Sequence, residues 1–285
     1  MSVEPFSELA CPMEGDLLSP EGQSWRCPAG HSFDAARQGY VHLLPVQKKR
    51  SLEPGDSKAM VAARQRFLNA GYYQPIANAV SKAVLQNSFP ESQTLSCLDA
   101  GCGEGYYLRE LAAESGDIGL SLAGLDISKW ATLAAAKQDK RPRWMVGSNA
   151  SIPVLPGTLD CMLCLFGFPV YPEFARVLKP SGVLIQADAG PDHLRELREV
   201  IYPSLNPDKP LVKDVPEGFS ILATETVGFT LNLDSKDAIA DLLAMTPHLY
   251  RAPAEGREKA ARLETLTVTV EVNLTQFQRV THCPG

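Results

Sequence analysis

The chain has 285 residues, 45% of them hydrophobic, which is enough apolar material for a packed core and excludes a wholly disordered protein. The net charge of −6 argues against a generally basic nucleic-acid binder, because phosphate neutralisation needs lysine and arginine on the contacting face. Apolar runs such as residues 159–170 are too short for a membrane span of roughly 20 residues, and the first ten residues lack the pattern of an export signal. We therefore expect a cytoplasmic protein with no membrane partner.

Residues 1–45 form the first of three regions that differ in pattern. They are turn-rich, contain Cys11 and Cys27, and are too few for a core of their own. The chain carries an odd number of cysteines, seven, and no export signal, so a disulfide framework is a poor explanation for them. We expect a small cysteine- and histidine-containing module here, and mostly reduced, buried cysteines throughout.

Residues 46–90 are predicted to be a basic linker followed by helices. The alanine-rich stretch 57–86 has apolar residues at helical spacing, broken near Gly71 and Pro75, which predicts two helices. Residues 47–66 carry a net charge of +4, which suits either contact with RNA phosphates or a solvated linker. The cations responsible are Lys48, Lys49, Arg50, Lys58, Arg64 and Arg66.

Residues 91–285 alternate strands with helices, which predicts an α/β fold with a mostly parallel sheet covered by helices on both faces. The expected parallel strands are residues 95–100, 120–126, 143–146, 159–165 and 182–187. Two later alternating runs, 218–233 and 263–280, look like antiparallel strands that close one edge. Together these runs predict a seven-stranded sheet.

The strongest local motif is LDAGCGEGYY at 98–107, an apolar strand that enters a glycine-rich turn and then a helix. Gly101 and Gly103 allow close approach of a nucleoside ligand, either a dinucleotide or S-adenosylmethionine. Asp99 and Glu104 place negative charge where a dinucleotide would have its pyrophosphate, whereas a sulfonium cofactor with an ammonium group is not repelled. Asp126, which ends the next strand, can accept both ribose hydroxyls. Together these features favour S-adenosylmethionine.

Two later segments support a class I (Rossmann-like) methyltransferase fold. SNASIP at 148–153 follows the third strand, where this fold usually contacts the adenine, and Asn149 is the candidate residue. LKPSGVL at 178–184 resembles the helix, turn and fifth strand typical of these enzymes.

The chain resembles the RlmA-type methyltransferases, which modify N1 of a guanine in a hairpin of bacterial 23S ribosomal RNA. The resemblance runs from about residue 11 to 197, and its N-terminal motifs are more specific than the glycine loop. Besides that loop, the motifs are RCPAGHSFD (26–34), GYVHLLPVQ (39–47), PGDS (54–57), AGYYQP (70–75) and GPDHL (190–194). The resemblance implies an RNA-recognising N-terminal module and a 23S rRNA hairpin as the partner.

The resemblance also implies cofactor contacts by Tyr73, Gly103, Glu104 and His193. A tyrosine from the helical linker would pack on the cofactor and His193 would close the site from the other side. A purely structural role is open for both: Tyr73 as a packing residue at a helix end, His193 as a hydrogen-bonded loop residue.

The family has an N-terminal zinc finger with three cysteines and one histidine as ligands. Cys11, Cys27 and His31 match these ligands here, but Glu14 stands in the position of the remaining cysteine. Structural zinc prefers thiolates and imidazoles, although a carboxylate can ligate it. Three alternatives follow: zinc with Glu14 as fourth ligand, zinc completed by a water, or a fold that has lost the metal.

The loop LFGFPV at 165–170 is more apolar than the corresponding family motif, which puts the choice of target base in doubt. Guanine N1 carries a proton at neutral pH, and Asp188 or Asp192 is the expected acceptor, unless these acids only cap a turn or helix. A small-molecule methyltransferase and a noncatalytic RNA-binding or ribosome assembly factor remain as alternative functions. Whether the chain forms a homodimer is left open.

Overall fold

The fold is described from a computed structural model that covers residues 3–45, 51–87, 94–205 and 215–280. The strands, in chain order, are β1 (Val3–Pro5), β2 (Ser19–Glu21), β3 (Ser24–Arg26), β4 (Ser32–Asp34), β5 (Tyr40–His42), β6 (Thr94–Ala100), β7 (Gly119–Asp126), β8 (Arg143–Val146), β9 (Leu159–Leu165), β10 (Leu178–Ala189), β11 (Phe219–Leu233) and β12 (Leu266–Arg279).

The helices, in chain order, are α1 (Lys58–Asn69), α2 (Gln74–Gln86), α3 (Tyr106–Glu114), α4 (Lys129–Gln138), α5 (Tyr171–Val177), α6 (Arg195–Ile201), α7 (Lys236–Met245), α8 (His248–Arg251) and α9 (Ala254–Ala261). The two helices predicted between residues 57 and 86 are α1 and α2. Ser57 begins the first by accepting a hydrogen bond from the Met60 amide, and Pro75 stands in the first turn of the second, where its missing N–H costs nothing. In the described part of the chain, no helix is both long and apolar enough to cross a membrane.

The main sheet has the order β11-β12-β10-β9-β6-β7-β8-β5, with β1 also paired to β7. The five predicted parallel strands are β6 to β10, and β11 and β12 form the predicted antiparallel edge. These seven strands confirm the class of fold. The sheet has nine strands, two more than predicted. The additional strands, β1 and β5, come from the N-terminal region and pair in parallel with β7 and β8.

The N-terminal region also covers one face of the sheet. Its strands β2, β3 and β4 form a small antiparallel sheet. Its apolar side chains Phe6, Leu9, Leu18 and Trp25 are buried in one cluster with side chains of α5 and of the main sheet. The other face is covered mainly by α1 to α4, α6 and α7. A segment too short for its own core therefore shares the core of the sheet. The domain boundaries at residues 45 and 90 stay predictions.

All six cysteines in the described residues are free thiols, and all are buried. This is the reduced, buried state expected from the sequence. Cys283, the seventh, lies outside the described residues.

Trp144 on β8 fixes the packing under the glycine-rich turn. Its buried indole donates a 2.7 Å hydrogen bond from Nε1 to the carbonyl of Asp139, and its ring lies against Gly124 of β7 and Gly105. A Cβ at Gly105 would stand 2.5 Å from the ring. Since Gly105 also has φ +84°, the turn can have only glycine there.

We expect Gly124→Ala to lower the free energy of unfolding by about 1–3 kcal/mol, because the new methyl group would overlap the Trp144 ring in a packed core. Gly228→Ala on β11 is the matched control, since no atom lies within 4 Å of a Cβ there and the backbone conformation is unstrained. Denaturant unfolding of both variants measures the difference. Equal stability of the two variants would contradict this account of the packing.

Candidate active site

The glycine-rich turn lies at the carboxyl end of β6, as the motif predicts. Gly101, Gly103 and Gly105 have φ values of +100°, +55° and +84°, a region that favours glycine. The amides of Gly101 and Cys102 donate to the carbonyl of Leu125 at 2.8 and 3.0 Å, which ties the turn to the neighbouring strand β7. No atom lies within 4 Å of a Cβ at Gly101, so the backbone there is open to a ligand.

Asp126 holds this turn in position from the end of β7. Its Oδ2 accepts from the Gly103 amide at 2.9 Å, and its Oδ1 accepts from the Ser128 amide at 2.7 Å. Burial raises the pKa of this carboxyl, while these two amides act in the opposite direction. Each carboxylate oxygen keeps a further lone pair for a ligand hydroxyl. Ribose binding by Asp126 stays a prediction.

Asp99 is a buried acid at the end of β6, beside the glycine-rich turn. Its side chain is 1% exposed, and in the described residues neither carboxylate oxygen has a hydrogen-bond partner. Burial, with a further contribution from Asp126, raises its pKa to about 8. A buried carboxylate is costly unless a cation or donor reaches it. An ammonium group such as that of S-adenosylmethionine supplies both, so this site fits the cofactor inferred from the sequence.

Glu104 is neutralised within the protein. Its carboxylate forms an ion pair with Arg109 at 3.0 Å and accepts a hydrogen bond from Gln138, and its side chain is fully buried. Arg109 therefore compensates the negative charge that Glu104 would present to a pyrophosphate in this turn. The expected contact of Glu104 with the cofactor stays a prediction. The Glu104 carboxylate already bonds to Arg109 and Gln138.

Three aromatic side chains form a cluster, although they come from separate segments: Tyr73 directly before α2, His193 before α6 and Phe166 in the loop after β9. The Tyr73 hydroxyl lies 3.4 Å from Nε2 of His193, and the Phe166 ring centroid lies 6.3 Å from that of Tyr73 and 6.0 Å from that of His193. The sequence pointed to Tyr73 and His193 and missed Phe166. The signal for Phe166 was its place in the apolar loop 165–170, directly after a strand end.

His193 is neutral at physiological pH. Burial lowers its pKa to about 4, and its Nδ1 accepts a hydrogen bond from the Glu271 amide at 3.3 Å. With Nδ1 as acceptor, the proton of the neutral ring is on Nε2, which faces the Tyr73 hydroxyl. The structure thus brings Tyr73 and His193 into contact. Their contact with the cofactor stays a prediction.

Asn149 and the two candidate bases lie at the same edge of the sheet, with partners of their own. The Asn149 amide donates to the carbonyls of Ala100 and Phe168 at 3.5 and 3.3 Å. Asp188, near the end of β10, accepts from Gln186 at 2.8 Å. Asp192 forms an ion pair with Arg195 at the start of α6. A contact of this kind suits the alternative in which Asp192 caps a helix and is not a base. The adenine contact and the roles of both acids stay predictions.

The basic segment 47–66 is less available to RNA than its charge suggests. Lys48, Lys49 and Arg50 lie outside the described residues. Arg64 pairs with Asp56 and Arg66 pairs with Asp241 on α7. Lys58 lies over the Trp130 ring, 5.9 Å from its centroid. Two of the three described cations are therefore neutralised by acids of the protein.

Three of the four metal ligands expected from the sequence lie close together. Cys11, Cys27 and His31 place their ligand atoms within 4.8 Å of one another, and Nδ1 of His31 lies 3.7 and 3.4 Å from the two sulfurs. Tetrahedral zinc would separate sulfur and nitrogen ligands by about 3.6 Å, given bond lengths of about 2.3 and about 2.0 Å. These three residues therefore fit zinc. Glu14 is exposed and is not part of the cluster, contrary to the alternative in which it completes the site.

Two protein-family models match this chain, one over the metal-ligand cluster and one over the glycine-rich turn. The family model of the RlmA N-terminal zinc ribbon matches residues 9–52, and a methyltransferase-domain model matches residues 98–186. The first covers the Cys11, Cys27 and His31 cluster, and the second covers the glycine-rich turn and Asp126. The methyltransferase domain makes the chain an S-adenosylmethionine-dependent enzyme, as the sequence indicates.

Three curated relatives align over almost the full chain. A protein of Micromonospora griseorubida named as a putative 23S rRNA (guanine-N1)-methyltransferase is 32% identical, over 98% of this chain and 100% of its own. YxjB of Bacillus subtilis, with the same name, is 31% identical over 94% and 96%. The 23S rRNA (guanine(748)-N1)-methyltransferase of Streptomyces fradiae is 30% identical over 94% of each chain.

The pKa of Asp99 predicts proton release when S-adenosylmethionine binds. With a pKa of about 8, the free carboxyl is mostly protonated at pH 7, and a nearby ammonium favours its charged form. The affinity should therefore rise with pH between about 6 and about 7.5, by at most about tenfold per unit, while the ligand's amino group stays charged. Calorimetry in buffers of different ionisation enthalpy measures the proton. Asp99→Asn should abolish the dependence, and a flat wild-type profile would contradict it.

Zinc is expected on Cys11, Cys27 and His31, without Glu14. Glu14→Gln should leave the zinc content unchanged, whereas Cys27→Ser should reduce it well below one equivalent without changing the affinity for S-adenosylmethionine. Elemental analysis of protein purified without chelators measures the metal. Loss of zinc in Glu14→Gln would restore Glu14 as the fourth ligand.

Proposed function

The chain belongs to the family of 23S rRNA (guanine-N1)-methyltransferases, and from this premise we propose that it methylates N1 of a guanine in a hairpin of 23S ribosomal RNA. We also propose that it acts in the cytoplasm, on the RNA it modifies. The observation that carries the proposal is the joint match of the RlmA zinc ribbon and the methyltransferase domain in one chain. A homodimer stays open.

The turn and its neighbours would hold the cofactor at the carboxyl edge of the sheet. We assign the ribose hydroxyls to Asp126 and the ammonium group to Asp99, whose buried oxygens are without partners in the described residues. When bound, S-adenosylmethionine supplies an electrophilic methyl group on a sulfonium. Methyl transfer is an in-line displacement, so the task of these residues is to align the acceptor nitrogen with that methyl group.

The aromatic side chains at this edge suit an unpaired base. Phe166 and Phe168, in the loop after β9, are 41% and 86% exposed, although large apolar side chains are normally buried. Guanine N1 is hidden in a base pair, so the target must be unpaired or extruded, and extruded bases stack on aromatic rings. Phe166, beside the Tyr73 and His193 pair, and Phe168 in the same loop offer such a surface.

The proton on guanine N1 needs an acceptor, and we favour Asp188 over Asp192. The Asp192 carboxylate is held by an ion pair with Arg195 at the start of α6. Asp188 lies on β10, two residues beyond Gln186, at the same edge as the glycine-rich turn. His193 is less suited, because its Nδ1 already accepts from the Glu271 amide.

The test is methylation of a 23S rRNA hairpin that lacks the modification, with the modified base mapped by mass spectrometry. We expect one methyl group on guanine N1 with the wild-type protein. Asp126→Ala should transfer it at least about tenfold more slowly at limiting cofactor, because a charged acceptor bound to a ligand contributes about 1.5–3 kcal/mol. Binding of S-adenosylmethionine without any transfer to ribosomal RNA would favour the small-molecule alternative.

A further inference from the structure

Arg64 of α1 reaches the glycine-rich turn from outside the methyltransferase domain. A Cβ on Gly103 would stand 3.5 Å from Cδ and 3.7 Å from Nη1 of Arg64, so the guanidinium lies directly over the backbone of the turn. Burial raises the pKa of Asp126, and the positive charge of Arg64 acts in the opposite direction. The basic residues near α1 were predicted to face RNA, but this one faces the cofactor edge.

Arg64 is held there by two contacts. It forms an ion pair with Asp56, in which both side chains are about one-quarter exposed, and its Nη2 donates to the Met245 carbonyl at 3.2 Å. Asp56 is itself fixed, because its carbonyl accepts from the Ser128 hydroxyl at 2.7 Å. The neighbouring Gly55 has φ +82°, and a Cβ there would meet the Ile127 side chain at 2.8 Å. The PGDS segment is therefore packed tightly onto the chain that follows Asp126.

The methionine group of the cofactor carries a carboxylate on the same carbon as the ammonium. A site that binds the ammonium at Asp99 must therefore also accommodate the carboxylate. Arg109, which also contacts the glycine-rich turn, donates to both the carboxylate and the carbonyl of Glu104. Arg64 donates to Asp56 and Met245 and, with five N–H donors, still has donors for a ligand carboxylate.

Asp99 and Arg64 also act electrostatically on the same buried side chain, Tyr107. Burial raises the pKa of that phenol, Asp99 raises it further, and Arg64 lowers it. An acid and a base of opposite effect near this part of the turn agree with a ligand that carries an ammonium and a carboxylate on one carbon.

We propose that Arg64 binds the carboxylate of the methionine group of S-adenosylmethionine and that Asp56 positions its guanidinium. The proposal rests on the cofactor of the proposed function, and it adds a binding residue from the linker between the zinc-ribbon region and the catalytic sheet. Because Asp56 belongs to the PGDS segment, displacement of that segment would weaken cofactor binding.

The experiment compares two ligands, S-adenosylmethionine and its decarboxylated form, by calorimetry in the absence of RNA. Arg64→Met should weaken binding of S-adenosylmethionine by about tenfold or more and change the affinity for the decarboxylated ligand by less than about twofold. Arg66→Met is the matched control on the same helix, since Arg66 pairs with Asp241 on α7, and it should bind both ligands like the wild type.

Equal losses for the two ligands, or no loss for either, would overturn the assignment. If Arg64→Met does not fold, Arg64→Gln, which keeps a polar side chain without the charge, provides the same comparison. The ratio of the two affinities does not depend on the RNA substrate. A protein that discriminates between these ligands but leaves 23S rRNA unmodified would contradict the proposed function and support the role of Arg64.

Discussion

The Asp126 carboxylate is the contact on which the cofactor edge depends. One oxygen accepts from the Gly103 amide and the other from the Ser128 amide, so the acid joins the turn after β6 to the start of α4. The same Ser128 donates its hydroxyl to the Asp56 carbonyl, which extends the connection to the linker before α1. A single buried side chain thus fixes three segments that are far apart in sequence.

Charge at this edge is distributed unequally among its acids. Glu104 is neutralised by Arg109, Asp126 is stabilised by two amides, and Asp99 has no partner in the described residues. Leaving one buried carboxylate unsatisfied costs free energy in the folded protein. Under the proposed assignment, a bound ammonium would recover that cost, and Asp99 would convert part of the stability of the protein into affinity for a positively charged ligand.

The N-terminal region is a structural part of the methyltransferase sheet. It adds β1 and β5 to the sheet and buries its apolar side chains against one face. Arg143 of β8 also lies over the Trp25 ring, 4.7 Å from its centroid. The zinc-ligand cluster is therefore anchored to the strands that carry the cofactor turn. The zinc-ribbon region and the edge proposed to bind the methyl donor share one core, which gives them a fixed relative position.

The strands β6 to β12, the two helices before them and the glycine-rich turn could be predicted from the sequence, because these depend on local patterns of apolar residues and glycines. The strands β1 and β5 could not, since they are short and pair with distant strands. The resemblance to the RlmA-type family indicated Cys11, Cys27 and His31 as metal ligands. How the basic segment is held was visible only in the folded chain. Arg66, one of its cations, pairs with Asp241, 175 residues away. Arg64 and Glu104 pair with acids and bases near them in the chain, but each also bonds to a distant residue, the Met245 carbonyl and the Gln138 side chain. The pairing of a long charged side chain depends on which segments the fold brings within reach, and no local pattern records that.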